Sequence, residues 1–112
     1  MCSRKTTTNL KKRQRAVNVA VRKLNKNIKN DTVWKGRFYA VQTERYFYKS
    51  GDNKLQVFYC LEFVDKQTNF RISRWYPEAI FEEENSWYLL EAMNDFINII
   101  KQTKLYKGDT YE

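Results

Sequence analysis

Twenty residues near the start of the chain, KKRQRAVNVAVRKLNKNIKN at positions 11–30, have the side chains most suited to a single chemical task. They include eight Lys and Arg and no Asp or Glu. Cations without interleaved carboxylates suit a polyanion, because Lys and Arg neutralise phosphates and release their condensed counterions. The candidate contacts are Lys12, Arg13, Arg15, Arg22, Lys23, Lys26 and Lys29. A second candidate set lies in RISRWY, 71–76, where Arg71 and Arg74 precede Trp75 in sequence. Guanidinium groups there would grip a nucleic-acid backbone, and the indole would stack on a base.

Other chemistries find little support. The chain has no histidine, which removes the Ser-His and Cys-His dyads and the commonest metal ligand. Glu82, Glu83 and Glu84 are consecutive, so helical spacing does not converge them into an acid–base pair. Gly36, Gly51 and Gly108 are isolated, and no phosphate-cradling glycine loop exists. Cys2 and Cys60 lack metal or redox spacing, and Cys60 is expected as a small core residue in a reducing compartment. The expectation is a non-enzyme with no catalytic residues, no metal and no cofactor.

The charge distribution sharpens this reading. The formal net charge is +8. Residues 1–30 carry ten basic side chains and no acidic ones, while residues 31–112 carry eleven basic and thirteen acidic ones, a balance of −2. The excess positive charge therefore belongs to the N-terminal segment, which points to DNA or RNA as partner. The expected function is that of a small basic nucleic-acid-binding accessory protein. The alternative partner is an acidic protein surface or a host nucleoprotein complex. In that case the chain would be a non-enzymatic phage inhibitor of a host defence nuclease or another host protein, in the manner of an anti-CRISPR. An anionic membrane is not expected, since the apolar stripe of the basic segment is narrow and lacks Trp and Phe. No run of apolar residues is long enough to span a bilayer, and the basic start lacks the apolar stretch of a secretory signal. The expected location is the cytoplasm, that of a host cell if a phage encodes the chain. Abundant Lys, Asn, Ile, Tyr and Phe match the codon bias of a low-GC bacterium or its mobile elements.

These residues must be positioned by elements that the patterning predicts. Leu10, Val17, Val21, Leu24 and Ile28 recur at helical spacing, which predicts a helix over 8–30 after a flexible 1–7, with Thr7 or Thr8 as its cap. Its cations oppose the helix dipole and repel one another, so compensation must come from elsewhere in the fold. Residues 33–77 read as a β meander broken at SGDN and DKQTN. Leu55, Val57, Tyr59, Leu61 and Phe63 share one face of its middle strand. Which face of the sheet is open does not follow from the pattern, because both parities of the first two strands are aromatic.

A second helix is predicted over 85–104, capped by Asn85 or Ser86. Its apolar face is Leu89, Leu90, Met93, Phe96, Ile97 and Ile100, with Glu82, Glu83 and Glu84 at its positive end. A polar tail over 105–112 completes a single small domain. The fold class is α+β in the order α-β-β-β-α. A three-stranded antiparallel sheet joins a basic N-terminal helix and an apolar-faced C-terminal one.

That element order resembles double-stranded-RNA-binding domains. The start of the last helix, basic in those domains, is here Glu82, Glu83 and Glu84, so no residue roles carry over. The sheet followed by a helix is also similar to the arm-binding domains of some mobile-element integrases.

Overall fold

A computed structural model describes the backbone of residues 2–30 and 36–102, and side chains from Leu10 onward. The fold is α+β: helix α1 (Cys2–Lys29), strands β1 (Phe38–Lys49), β2 (Leu55–Asp65) and β3 (Arg71–Pro77), then helix α2 (Ser86–Lys101). The strands form one antiparallel sheet in the order β1-β2-β3. Two short 3-10 turns, Glu78–Phe81 and Glu83–Asn85, join β3 to α2.

Several boundaries differ from the expected ones. The first helix starts at Cys2, so Thr7 and Thr8 lie inside it rather than capping it at 8, and 2–7 is helical. Residues 33–35 of the expected meander lie outside the described residues, as do 103–104 of the second helix and the 105–112 tail. Asn85 does occupy the position before α2, but makes no side-chain cap bond. Its side-chain amide instead donates to the Ala79 carbonyl at 2.7 Å, tying the two 3-10 turns together.

Both helices pack on the same face of the sheet. Val17, Leu24 and Ile28 of α1 and Leu89, Met93, Phe96, Ile97 and Ile100 of α2 are buried with Val57, Tyr59, Leu61 and Phe63 of β2. The ring of Phe96 lies about 6 Å from those of Phe38, Phe63 and Phe70. Phe81, in the first 3-10 turn, lies 5.4 Å from Tyr59 and 6.3 Å from Tyr76 in edge-on contacts. Offset and edge-on ring pairs of this kind add to the burial of large apolar area.

Polar side chains anchor α1 against β1. Ala40 turns its N–H and carbonyl away from β2. Asn25 meets both, donating to the carbonyl and accepting from the N–H, each at 2.8 Å. One α1 side chain thus satisfies a pair of edge groups that would otherwise be open to another strand. Gln14 pairs with the Gln42 amide two residues further along the same edge.

The turn from β2 to β3 is built on Asp65. Its carboxylate accepts from Arg37 at 2.8 and 2.9 Å, from the Thr68 hydroxyl at 2.7 Å and from the Gln67 N–H at 3.0 Å. Asn53 and Asn69 take positive φ in the two hairpin turns, a conformation that Asn tolerates better than most residues.

Thr43 interrupts the regularity of β1. The register shifts between Gln42, opposite Leu61, and Glu44, opposite Cys60. This β-bulge exchanges the parity of the strand. Phe38, Ala40 and Gln42 face the helices on one side of it, and Arg45 and Phe47 on the other.

Candidate nucleic-acid interface

The basic stripe of α1 has two surroundings. With core side chains at 17, 21, 24 and 28, a helix of 3.6 residues per turn places Arg15, Arg22 and Lys26 on the opposite side. Lys12 and Lys29 flank them. All five are exposed, and none makes an ion pair among the described residues. Arg15, Arg22, Lys26 and Lys29 lie over about four turns of helix, a spacing that offers several cations to one extended polyanion.

The other side of the stripe is already engaged. Arg13 is half-buried, its Nε lies 3.4 Å from Glu78 Oε2, and one of its terminal nitrogens is buried without a hydrogen-bond partner among the described residues. Lys23 Nζ lies 3.9 Å from Glu83 Oε2, both exposed. These two acids supply the compensation that an acid-free helix requires. They come from the 3-10 turns after β3, far away in sequence. Glu82, Glu83 and Glu84 therefore do more than flank the start of α2. They form the acidic wall of an open groove of about 580 Å³, whose other wall carries Lys12, Arg15 and Lys23 and whose floor includes Ala16, Ala20 and Phe81. Val19, 53% exposed, also lines it.

The second candidate set does not form one surface. Arg74 stands opposite Leu61 and so shares the helix-covered side of the sheet, whereas Arg71 and Trp75 stand opposite Val64 and Cys60 on the other side. Arg74 lies beside Trp87, Tyr88, Glu91 and Asp95 at the rim of α2. Arg71 is held by Glu62 at 3.0 Å and Asn69 at 3.2 Å. Trp75 is 48% exposed. Opposite-facing neighbours are the necessary result of strand alternation.

The electrostatics of the buried groups are structural. Burial alone would raise the Asp65 carboxyl, but the hydrogen bonds from Arg37, Thr68 and Gln67 outweigh it and hold the group below its usual value. Burial is the main cause that raises the hydroxyls of Tyr59 and Tyr76 above theirs, with Glu78 adding to the effect at Tyr59. Cys60 is buried within the sheet.

Sequence reasoning missed Glu78 as the partner of Arg13, because sixty-five positions separate them and no periodicity links them. It also missed the edge contacts of Gln14 and Asn25. Polar residues beside an apolar helical stripe were the only signal of those. Compared with family models, curated proteins and solved structures, the chain matches none.

Proposed function

We propose that the chain is a small nucleic-acid-binding accessory protein that holds phosphates on the outward face of α1. The observation that carries this reading is the separation of charge on one helix. Arg13 and Lys23 turn towards Glu78 and Glu83. Arg15, Arg22, Lys26 and Lys29 stay exposed, without acidic partners among the described residues. Unpaired cations aligned on a rigid helix suit phosphate neutralisation, and an α-helix fits the major groove of a duplex. Lys12 extends the face towards the N-terminus, while the Glu82–Glu84 wall repels phosphate from its far side. Arg71, Arg74 and Trp75 are secondary contacts at most in this reading.

The test is a fluorescence-anisotropy titration with single-stranded DNA, duplex DNA and RNA, each at two salt concentrations. Four phosphate contacts predict a log–log salt slope of about −3.6 on duplex DNA and about −2.8 on a single strand. Reversing Arg15, Arg22 and Lys26 together to Glu abolishes binding while the circular dichroism stays that of the parent. Full binding by that folded triple variant refutes the reading.

One observation favours a second reading. Val19 is exposed in the middle of the basic face beside the apolar groove floor. An apolar side chain there does nothing for a phosphate backbone, but anchors a protein–protein contact. On this reading the chain is a non-enzymatic inhibitor whose basic helix docks on an acidic host protein. A complex that survives nuclease treatment and is lost on Val19→Glu supports it. Loss of the complex on nuclease treatment returns the assignment to nucleic acid.

A further inference from the structure

The two sides of the sheet are treated unequally by the fold. Both helices lie on one side, and no described element covers the other. The uncovered side presents Tyr39, Val41, Tyr46 and Tyr48 of β1, Phe58 of β2 and Trp75 of β3, as the strand register requires. Tyr46, Tyr48 and Trp75 are 55%, 51% and 48% exposed. Between these rings Cys60 and Val64 are buried although no helix lies over them. Phe47 on the covered side and Trp87 and Tyr88 of α2 are exposed as well, but the rings of the open face adjoin one another across the strands, and a contiguous apolar patch of this kind marks an interaction surface.

The charges on this face say what it can accept. Glu44 and Glu62 point from it, and so does Arg71, which is already paired with Glu62. The Lys66 ammonium sits 5.2 Å from the Tyr39 ring at one end. Two acids meet two bases, and the face is electrically balanced on a chain whose net charge is +8. A surface that carries a single strand of nucleic acid combines stacking rings with a positive track for the phosphates, and that track is missing here. Two copies of this chain repel if they meet through their α1 faces. The aromatic face is where they can meet without like charges opposing one another.

Its size is adequate. Strands of 12, 11 and 7 residues cover on the order of 500 Å² of flat sheet at the usual rise and strand spacing. Large side chains add relief to that figure. The result is of the same order as the roughly 800 Å² per partner of a standard interface. Tyr46, Tyr48, Phe58 and Trp75 cluster towards one end of the face, the aromatic composition such interfaces favour, while Glu44 and Glu62 stand nearer its middle.

We propose that the aromatic face of the sheet is closed by a second copy of this chain, giving a twofold dimer whose sheets stack face to face. Both basic helices then lie on the outer sides of the pair, away from the contact. The twofold is the commonest symmetry of soluble assemblies and needs only a self-complementary patch. Stacked sheets pack about 10 Å apart with their side chains interleaved. This proposal stands apart from the assignment of α1 to phosphate: each holds if the other fails.

The experiment is sedimentation equilibrium of the full chain, from roughly 1 to 500 µM, in about 0.5 M salt to screen the α1 cations. The expected result is a mass that rises with concentration from the 13.6 kDa of one chain to twice that value. The double variant Tyr46→Ser, Trp75→Ser should associate at least about tenfold more weakly, while its circular dichroism and dilute-solution melting stay those of the parent. Substituting Val19→Glu on the α1 side is the control and should leave the mass curve unchanged. A monomer across the whole range overturns the proposal. A dimer insensitive to Tyr46→Ser, Trp75→Ser but broken by Val19→Glu overturns it in favour of the α1 groove. A parent chain that stays monomeric, together with a double variant that loses affinity for a single-stranded oligonucleotide, reassigns the face to base stacking.

Discussion

The two faces of the sheet carry similar residue types and have different fates. On the covered face Phe38, Phe63 and Phe96 meet ring to ring, and Val57, Tyr59, Leu61 and Phe63 of β2 are buried, with Leu55 partly so. On the open face Tyr46, Tyr48 and Trp75 stand half in solvent. Aromatic content alone therefore does not mark a core. What separates the faces is where the two amphipathic helices can lie. Helix α1 is tied to the β1 edge by Asn25 and Gln14, and α2 follows the 3-10 turns that place Phe81 beneath Tyr59. Both ties bring their helix to the same side.

The contrast can be broken most forcefully from the covered face. Phe96→Ala removes the ring that meets Phe38, Phe63 and Phe70 and leaves a cavity that its neighbours fill only in part. A loss of about 3–5 kcal/mol is expected in chemical denaturation, a large share of the stability of a domain this small. A loss below ~1 kcal/mol shows that the covered face is not the core described here.

Asp65 comes next. It is the one buried charged side chain among the described residues, at the end of the same face, and its pair with Arg37 is bidentate. Asp65→Asn removes the buried charge that accepts from Arg37, Thr68 and the Gln67 N–H, and a loss of roughly 2–4 kcal/mol is expected from thermal or urea melts. The pH dependence has a definite sign. The folded carboxyl lies below its unfolded value, so its contribution is complete above the unfolded pKa near ~4 and is lost as pH falls through the folded value. The parent should lose stability in this acid window, and Asp65→Asn should lose less. Equal acid sensitivity of the two proteins removes Asp65 as the cause.

The smallest effect belongs to the open face. Tyr48→Ser in dilute solution should change stability by no more than about 0.5 kcal/mol, as for exposed positions in general. A loss as large as that of Phe96→Ala means that some element covers Tyr48, and that the two faces are not the contrast drawn here.

The legible parts of the fold share one physical property: their signal is local. The stripe of Leu10, Val17, Leu24 and Ile28 and the alternation of Val57, Tyr59, Leu61 and Phe63 reproduce the helical and strand repeats. The structure buries these residues with the expected phase, although Leu10 and two further members of the expected sets, Val21 of the stripe and Leu55 of the strand face, are buried only in part. The first strand did not read as clearly. Its parity reverses at Thr43, so Phe38 and Ala40 share a face with Arg45 and Phe47. A strict two-residue alternation mis-assigns one half of the strand whichever face is chosen.

The candidate site divides in the same way. Its cations are visible as a run without acids. Which of them remain unpaired depends on Glu78 and Glu83, which reach α1 only once the sheet and the 3-10 turns are in place. Arg71, Arg74 and Trp75 looked like one group because they are close in sequence, and alternation separates them across the sheet.

The order of the elements, the apolar stripes that build the core, and the concentration of positive charge in the first helix are all readable from the local pattern of residues. Each depends on neighbours within a few turns or one strand. The tertiary structure alone decided which face of the sheet stays open, which basic residues acquire carboxylate partners, and which strand edge is covered. Those outcomes depend on groups that are distant along the chain, and on one extra residue at the Thr43 bulge. No local period records either.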